Sequence, residues 1–121
     1  MISRILVLAA LSLLSTLPAH AAAPSAFHAY CMVLEDGAIH SPPQAEVRLE
    51  KGETRELSNK NGISFQVTYG DVIGLSDVIQ LVIKNTVTNK QNLNYVVVDK
   101  TFPSRIDLVT EAGSITCSTM N

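Results

Sequence analysis

The chain has 121 residues, with nine basic and eleven acidic side chains and a formal net charge of −2. Charges of both signs are interspersed, and no cluster of lysines or arginines occurs. Nucleic acids and anionic membrane surfaces are bound through basic patches. The composition therefore excludes both as expected partners.

Residues 1–21 have the pattern of a secretory signal peptide. Arg4 provides a positive start, and residues 5–17 form an apolar run of 13 residues. A membrane-spanning helix needs about 20 residues, so this run is too short to anchor the chain. We expect an N-terminal signal helix that is removed after export and leaves no membrane anchor.

The predicted cleavage site lies between Ala21 and Ala22. Ala19 and Ala21 supply the small-x-small pattern that signal peptidase requires. Cleavage there leaves 100 residues, which fit a flexible tail over residues 22–26 and a single β domain over residues 27–121. A short leader with Ala-x-Ala is typical of bacterial export, so the sequence predicts a periplasmic or secreted protein.

The chain contains two cysteines, Cys31 and Cys117. Two cysteines in an exported domain most often pair with each other, and each of these lies in a predicted strand. The alternatives are two free buried thiols, or a reactive thiol or metal ligand. No Cys-x-x-Cys and no Cys–His spacing typical of zinc is present. We therefore expect a disulfide that joins the first and last strands.

Periodicity in the mature chain predicts strands and no helix. Residues 63–69 alternate strictly between apolar and polar side chains, the pattern of a half-buried strand. Residues 27–34 are apolar on both faces, which indicates a central strand. The full set of predicted strands is 27–34, 45–50, 53–57, 63–69, 78–84, 95–99, 105–110 and 114–119.

Turn residues separate these strands. Lys51 and Gly52 indicate a turn after the strand 45–50. Residues 53–57 are then expected to form the return strand. Asn61-Gly62 is typical of a tight hairpin turn. Residues 70–77 contain two glycines and two acidic residues, which indicates a loop.

Two longer segments stand out among the connections. Residues 85–94 predict a polar loop or an exposed hairpin tip. Both this segment and residues 35–44 are long enough to cross between sheets. Seven or eight short strands with these turns predict an all-β fold, a small antiparallel β-sandwich, with a small β-barrel as the alternative.

The residues offer little for catalysis or for a metal. The predicted mature chain has only His28 and His40, which are too few for a zinc or copper site. No Gly-x-Ser-x-Gly elbow occurs. Asp71 and Asp77 bracket a glycine-containing loop, but the calcium-binding pattern of an EF-hand is absent. We expect no cofactor.

Two further groups of side chains bear on function. The acids Glu46, Glu50, Glu53 and Glu56 resemble a charged face or a protected strand edge, with an enzyme built on them as an alternative. Of the aromatic residues, Phe27, Tyr30, Phe65 and Tyr69 are expected in the core. Only Tyr95 with Phe102 would begin a carbohydrate-binding row.

The expected function is binding or structural association without catalysis, in the bacterial envelope or outside the cell. Residues 35–44 and 85–94 are the candidate contact regions, because loops often carry function. The expected partner is a protein or an envelope component. The alternative function is inhibition of an exported hydrolase, such as a protease or a cell-wall-degrading enzyme, since a rigid loop binds with little ordering cost.

Overall fold

A computed structural model describes residues 23–35, 38–40, 45–72 and 74–120. Within these residues the chain forms nine strands and no helix. In chain order they are β1 (Ala26–Glu35), β2 (Ala38–His40), β3 (Glu46–Glu50), β4 (Glu53–Lys60), β5 (Ile63–Val72), β6 (Leu75–Asn85), β7 (Gln91–Val97), β8 (Arg105–Thr110) and β9 (Gly113–Thr119). Eight correspond to predicted strands. The ninth, β2, lies within residues 35–44, which were predicted as a connection.

The strands form two antiparallel sheets. The first has the order β2-β1-β9-β8, and β3 also pairs with β1. The second has the order β4-β5-β6-β7. The two sheets do not close into a barrel, so the predicted β-sandwich is confirmed. β1 pairs with β9 on one side and with β2 and β3 on the other, as expected for a central strand.

The core lies between the inner faces of the two sheets. Alternate side chains of each central strand are buried there, following the period of two expected for strands. The central strands contribute Phe27, Ala29, Cys31, Val33, Phe65, Val67, Tyr69, Ile79, Leu81, Ile83, Ile115 and Cys117. Tyr30 is an exception to the sequence prediction, because it lies on the outer face of β1 with 48% of its surface exposed.

The described chain passes between the sheets at two places, and neither is a predicted crossing. The turn at Lys51 and Gly52 leads from β3 into β4, which pairs with β5 and not with β3. The predicted return strand is therefore wrong in its pairing. Gly52 N–H donates to the carbonyl oxygen of Tyr69, and this bond directs the turn into the second sheet. The other crossing is residues 98–104, between β7 and β8.

Most of the predicted loop over residues 70–77 is strand, whereas residues 85–94 form the hairpin tip that was one of their two predicted alternatives. β5 continues to Val72 and β6 begins at Leu75, so most of residues 70–77 belong to a long hairpin with a register shift between Gly70 and Val72. Residues 85–94 do not cross between the sheets. They form the β6–β7 hairpin, with Gln91 already paired to Lys84. Backbone pairing to a neighbouring strand overrides the polar and glycine-rich composition here.

An aromatic cluster closes one end of the core. The ring of Phe102 packs edge-on against those of Phe27 and Tyr69, with centroid separations of 5.1 Å in both cases. The Tyr69 hydroxyl donates a hydrogen bond to the carbonyl oxygen of Pro24. Of residues 22–26, predicted as a tail, Ala23 is buried and Ala26 already belongs to β1. The start of the domain is thus fastened to the second sheet.

Tyr69 is expected to make the fold sensitive to alkaline pH. Burial raises the pKa of its hydroxyl above the ordinary value of 10.0. The folded state therefore favours the neutral phenol, and this contribution is complete below about pH 10 and is lost as pH rises through the folded pKa. Tyr69→Phe is expected to lower stability by about 1 kcal/mol at neutral pH through the lost hydrogen bond, and to flatten the alkaline decline.

Thermal unfolding followed by circular dichroism from about pH 8 to pH 11 measures both effects. Tyr95→Phe is the matched control, because this ring lies exposed on the outer face of β7. We expect the control to keep the wild-type alkaline slope. An equally steep decline in Tyr69→Phe and in the wild type would contradict the assignment.

Candidate functional site

The disulfide lies in the core. Cys31 on β1 is directly opposite Cys117 on β9, the two sulfurs are bonded, and the Cα atoms are 4.0 Å apart. Both residues are fully buried. The bridge therefore joins the first and last strands of the domain and exposes no thiol. The predicted cleavage residues Ala19, Ala21 and Ala22 lie outside the described residues.

His28 makes a contact that the sequence analysis did not identify. Its Nε2 lies 2.6 Å from Oε1 of Glu46, across the pair β1–β3 on the outer face of the first sheet. Among the described residues, no other side chain forms a hydrogen bond with the His28 ring. A His–acid pair without an adjacent nucleophile does not make a hydrolase triad. His40 lies on β2, and its side chain is outside the described part of the chain.

The predicted acidic cluster is divided between separate local contacts. Glu46 binds His28, and Glu53 accepts a hydrogen bond from the Glu50 backbone N–H at 2.8 Å. Glu56 accepts one from the Ser64 hydroxyl at 2.9 Å. Glu46 and Glu50 belong to the first sheet, whereas Glu53 and Glu56 belong to the second. The fold therefore does not assemble these acids into one site.

Asp71 and Asp77 are also engaged. Asp71 accepts a hydrogen bond from the backbone N–H of Asp77, whose φ is positive at 56°. Lys51 Nζ lies 2.9 Å from Asp77 Oδ1, and this hydrogen bond raises the pKa of Lys51 above its usual 10.5. The Lys51 ammonium group thus already neutralises the Asp77 carboxylate. No group of three His, Cys, Asp or Glu residues suited to a metal occurs among the described residues.

The predicted carbohydrate row does not form. Tyr95 lies on the outer face of β7, whereas Phe102 packs into the aromatic cluster with Phe27 and Tyr69. Stacking of a sugar on such a row would require neighbouring exposed aromatic rings. The structure separates these two by placing Phe102 between the sheets.

An open cleft of about 470 Å³ lies at one end of the sandwich. We call it the end cleft. It lies between the β6–β7 hairpin and the β8–β9 hairpin, and its apolar part contains Ile63 and Ile83. The remaining lining residues are Asn85, Thr88, Lys90, Asn92, Val109, Thr110, Glu111 and Ala112. Its volume lies within the range of about 300–1,000 Å³ that is usual for ligand pockets.

The β6–β7 turn on one side of the end cleft is held by its own hydrogen bonds. The Asn85 side-chain oxygen accepts from the backbone N–H groups of Val87 and Thr88, at 2.9 and 3.0 Å. Thr86 donates both its backbone N–H and its hydroxyl to the Gly62 carbonyl oxygen. The turn is therefore fastened to the neighbouring β4–β5 turn and is ordered before any partner binds.

Three polar side chains of the end cleft are available to a ligand. Among the described residues, Lys90, Asn92 and Glu111 have no hydrogen-bond or ion-pair partner for their side chains. The cation and the anion balance each other in charge. No aromatic residue lines the end cleft. These features suit a neutral, polar ligand that also carries an apolar group.

Only half of the end cleft was predictable from the sequence. Residues 85–94 were predicted as a contact region, whereas the β8–β9 turn was not. The other named region, 35–44, contributes β2 to the first sheet, and its remaining part lies mostly outside the described residues. The proximity of the two hairpins depends on how the sheets stack, which no local pattern reveals.

Comparison of the chain with protein-family models, curated proteins and solved structures finds no match. The described part of the chain also contains no helix that would span a membrane.

Proposed function

We propose that this protein is a small exported binding domain that acts without catalysis and holds a short polypeptide segment in the end cleft. The observation that carries the proposal is the cleft itself, which joins an apolar floor to a polar rim on an ordered turn. Ile63 and Ile83 suit an aliphatic side chain. The amide of Asn92 and the opposite charges of Lys90 and Glu111 suit the main-chain groups of a peptide.

Peptide selection tests this proposal. Panning a random peptide library on the immobilised protein is expected to enrich neutral sequences that carry an aliphatic residue. Ala112→Trp fills the end cleft from its exposed rim and is expected to weaken binding of the selected peptides at least about tenfold, by isothermal titration calorimetry. A bulky ring there excludes the ligand without removing any backbone hydrogen bond.

Thr101→Trp is the matched control. Thr101 is exposed in the segment between β7 and β8, at the opposite end of these strands from the cleft. We expect this variant to bind the peptides as the wild type does. Enrichment of no peptide, or equal binding by both variants, would count against the end cleft as the site.

Export to an oxidising compartment is the second part of the proposal. It is supported by the leader pattern in residues 1–21 and by a disulfide within the domain, which fits an extracytoplasmic location. Intact mass of the exported protein is expected to show Ala22 as the first residue. Ala19→Asp is expected to block processing, because the −3 position requires a small side chain.

His20→Asp, at the intervening position, is the matched control and is expected to be processed normally. A first residue other than Ala22 would show that the cleavage site is misplaced. Normal processing of Ala19→Asp would have the same meaning.

Inhibition of an exported hydrolase is the alternative, and one observation favours it. Val87 lies on the ordered β6–β7 turn with 85% of its surface exposed, as a single apolar side chain presented to a partner. An inhibitor is expected to cause stoichiometric loss of activity in a panel of proteases and cell-wall hydrolases. Val87→Asp should abolish that loss and Val109→Asp, at another exposed valine, should not. Full activity of every enzyme in the panel would remove this alternative.

Assays of enzymatic turnover test the absence of catalysis. We expect no turnover on a broad panel of hydrolase substrates. Turnover that disappears in His28→Ala or His40→Ala would contradict a non-enzymatic role, and so would turnover lost on alanine replacement of the acids between Glu46 and Glu56.

A further inference from the structure

β7 is an edge strand, and among the described residues nothing bonds to the outer side of its main chain. It pairs with β6 and lies last in the second sheet. At its two ends, Asn85 N–H donates to the Lys90 carbonyl and Val98 N–H donates to the Asp77 carbonyl. Main-chain groups alternate between the two sides of a strand, so the even-numbered residues of β7 bond to β6. The odd-numbered residues direct their N–H and C=O groups away from the sheet: Gln91, Leu93, Tyr95 and Val97.

β7 also lacks the charges that commonly protect an exposed edge. Natural sheets block edge-to-edge association with charged side chains, prolines or bulges. β7 contains no charged residue and no proline, and its register with β6 is unbroken. The edge strand β4 carries Glu53, Arg55, Glu56 and Lys60 and has a register shift, and β8 carries Arg105 and Asp107.

The neighbouring edge, β8, is partly covered. The Asn94 side chain donates to the Asp107 carbonyl oxygen at 2.7 Å. This contact uses an inward-facing side chain of β7 and leaves the outward main-chain groups of β7 uninvolved. Beside them, on the outer face, the side chains of Leu93, Tyr95 and Val97 are 37%, 44% and 54% exposed. The open main chain and the apolar side chains therefore lie on one strand.

We propose that β7 pairs antiparallel with β7 of a second copy of this chain, and that the two four-stranded sheets join into one of eight strands. This interaction goes beyond the proposed function and does not depend on the end cleft. Only a register centred on Asn94 places all four outward-directed residues opposite one another. Gln91 then pairs with Val97 of the partner subunit, and Leu93 pairs with Tyr95 of the partner subunit.

This register is self-complementary. The twofold axis repeats each pair, so two Leu–Tyr contacts form on the exposed face and no charge is placed opposite a like charge. Such a symmetric arrangement favours a second copy over an unrelated strand. One strand pair is smaller than a standard interface, so the dimer is expected to be weak, with a Kd on the order of 10–100 μM.

Sedimentation equilibrium of the purified protein from about 10 μM to 1 mM tests the proposal, since this range brackets the expected Kd. We expect a reversible monomer–dimer equilibrium. Leu93→Lys/Tyr95→Lys places like charges opposite each other twice and is expected to leave a monomer. Leu93→Lys/Tyr95→Glu places opposite charges in the same pairs and is expected to keep the dimer. A register centred on Leu93 or on Tyr95 would instead put like charges together in that variant.

Val109→Lys, at an exposed apolar position on β8, is the matched control and is expected to dimerise as the wild type does. Circular dichroism confirms that each variant is folded, and all substituted side chains are exposed. A monomer throughout the concentration range would overturn the proposal. Retention of the dimer by both double variants, or its loss in both, would also overturn the proposal.

Discussion

Replacement of both cysteines, Cys31→Ala with Cys117→Ala, is expected to lower the free energy of unfolding by about 4–5 kcal/mol. The bridge closes a loop with a sequence separation of 86 residues, so its loss greatly increases the conformational freedom of the unfolded chain. The native side contributes as well, because both side chains are fully buried and their truncation leaves space in the core. Small domains have a total stability of about 5–15 kcal/mol, so the variant is expected to be barely folded.

Urea unfolding followed by far-ultraviolet circular dichroism measures this loss. The matched control is Thr54→Ala with Thr68→Ala, another directly opposed cross-strand pair, whose hydroxyl oxygens are 2.7 Å apart. This control is expected to cost only about 1 kcal/mol. A cysteine variant no less stable than the threonine variant would show that the bridge does not govern the stability of the domain.

Gly113→Ala is expected to lower stability by about 2–5 kcal/mol, combining backbone strain with overpacking. Gly113 begins β9 with a φ of 147°, a conformation that side chains rarely adopt. A Cβ atom there would overlap the Leu34 carbonyl oxygen and lie 3.0 Å from the Phe65 ring. Leu34 belongs to the central strand and Phe65 to the core, so neither is free to move away.

Gly52→Ala separates the backbone strain from the overpacking. Gly52 also has a positive φ, 93°, but no atom lies within 4 Å of the Cβ position. This control carries only the conformational cost, about 1–2 kcal/mol. Thermal and urea unfolding of both variants are expected to show the larger loss for Gly113→Ala. Equal losses would mean that the β8–β9 turn moves away from β1 and is not tightly packed.

The strands were predictable because their signal is local. The alternation of residues 63–69 reports directly which side chains enter the core, and β5 buries Phe65, Val67 and Tyr69 as expected. The apolar character of β1 on both faces correctly indicated a central strand, although Tyr30 on its outer face remains exposed. Pairing with β2, β3 and β9, rather than burial of both faces, accounts for its position.

The sheet assignment was not predictable because it depends on contacts between distant residues. A two-residue turn such as Lys51-Gly52 ordinarily indicates a hairpin. Here the bond from Gly52 to Tyr69 places β4 in the other sheet. Phe102 was misplaced for a related reason, since residues 98–104 cross between sheets and insert the ring beside Phe27.

The candidate site depends both on local sequence signals and on contacts between distant residues. The polar composition of residues 85–94 marked one wall of the end cleft, because Asn and Thr residues are typical of turns. The opposite wall, Val109 to Ala112, shows no such signal. It becomes part of a site only because β8 and β7 lie at adjacent edges of the two sheets.

Binding of a polypeptide segment in the end cleft is the core of the proposed function. Titration of the isotopically labelled protein with the most strongly enriched peptide, followed by backbone amide chemical shifts, tests it most directly. We predict that the largest shifts fall on Ile63, Ile83, residues 85–92 and residues 109–112. Shifts confined to other surfaces, such as the outer face of β1, would contradict the claim.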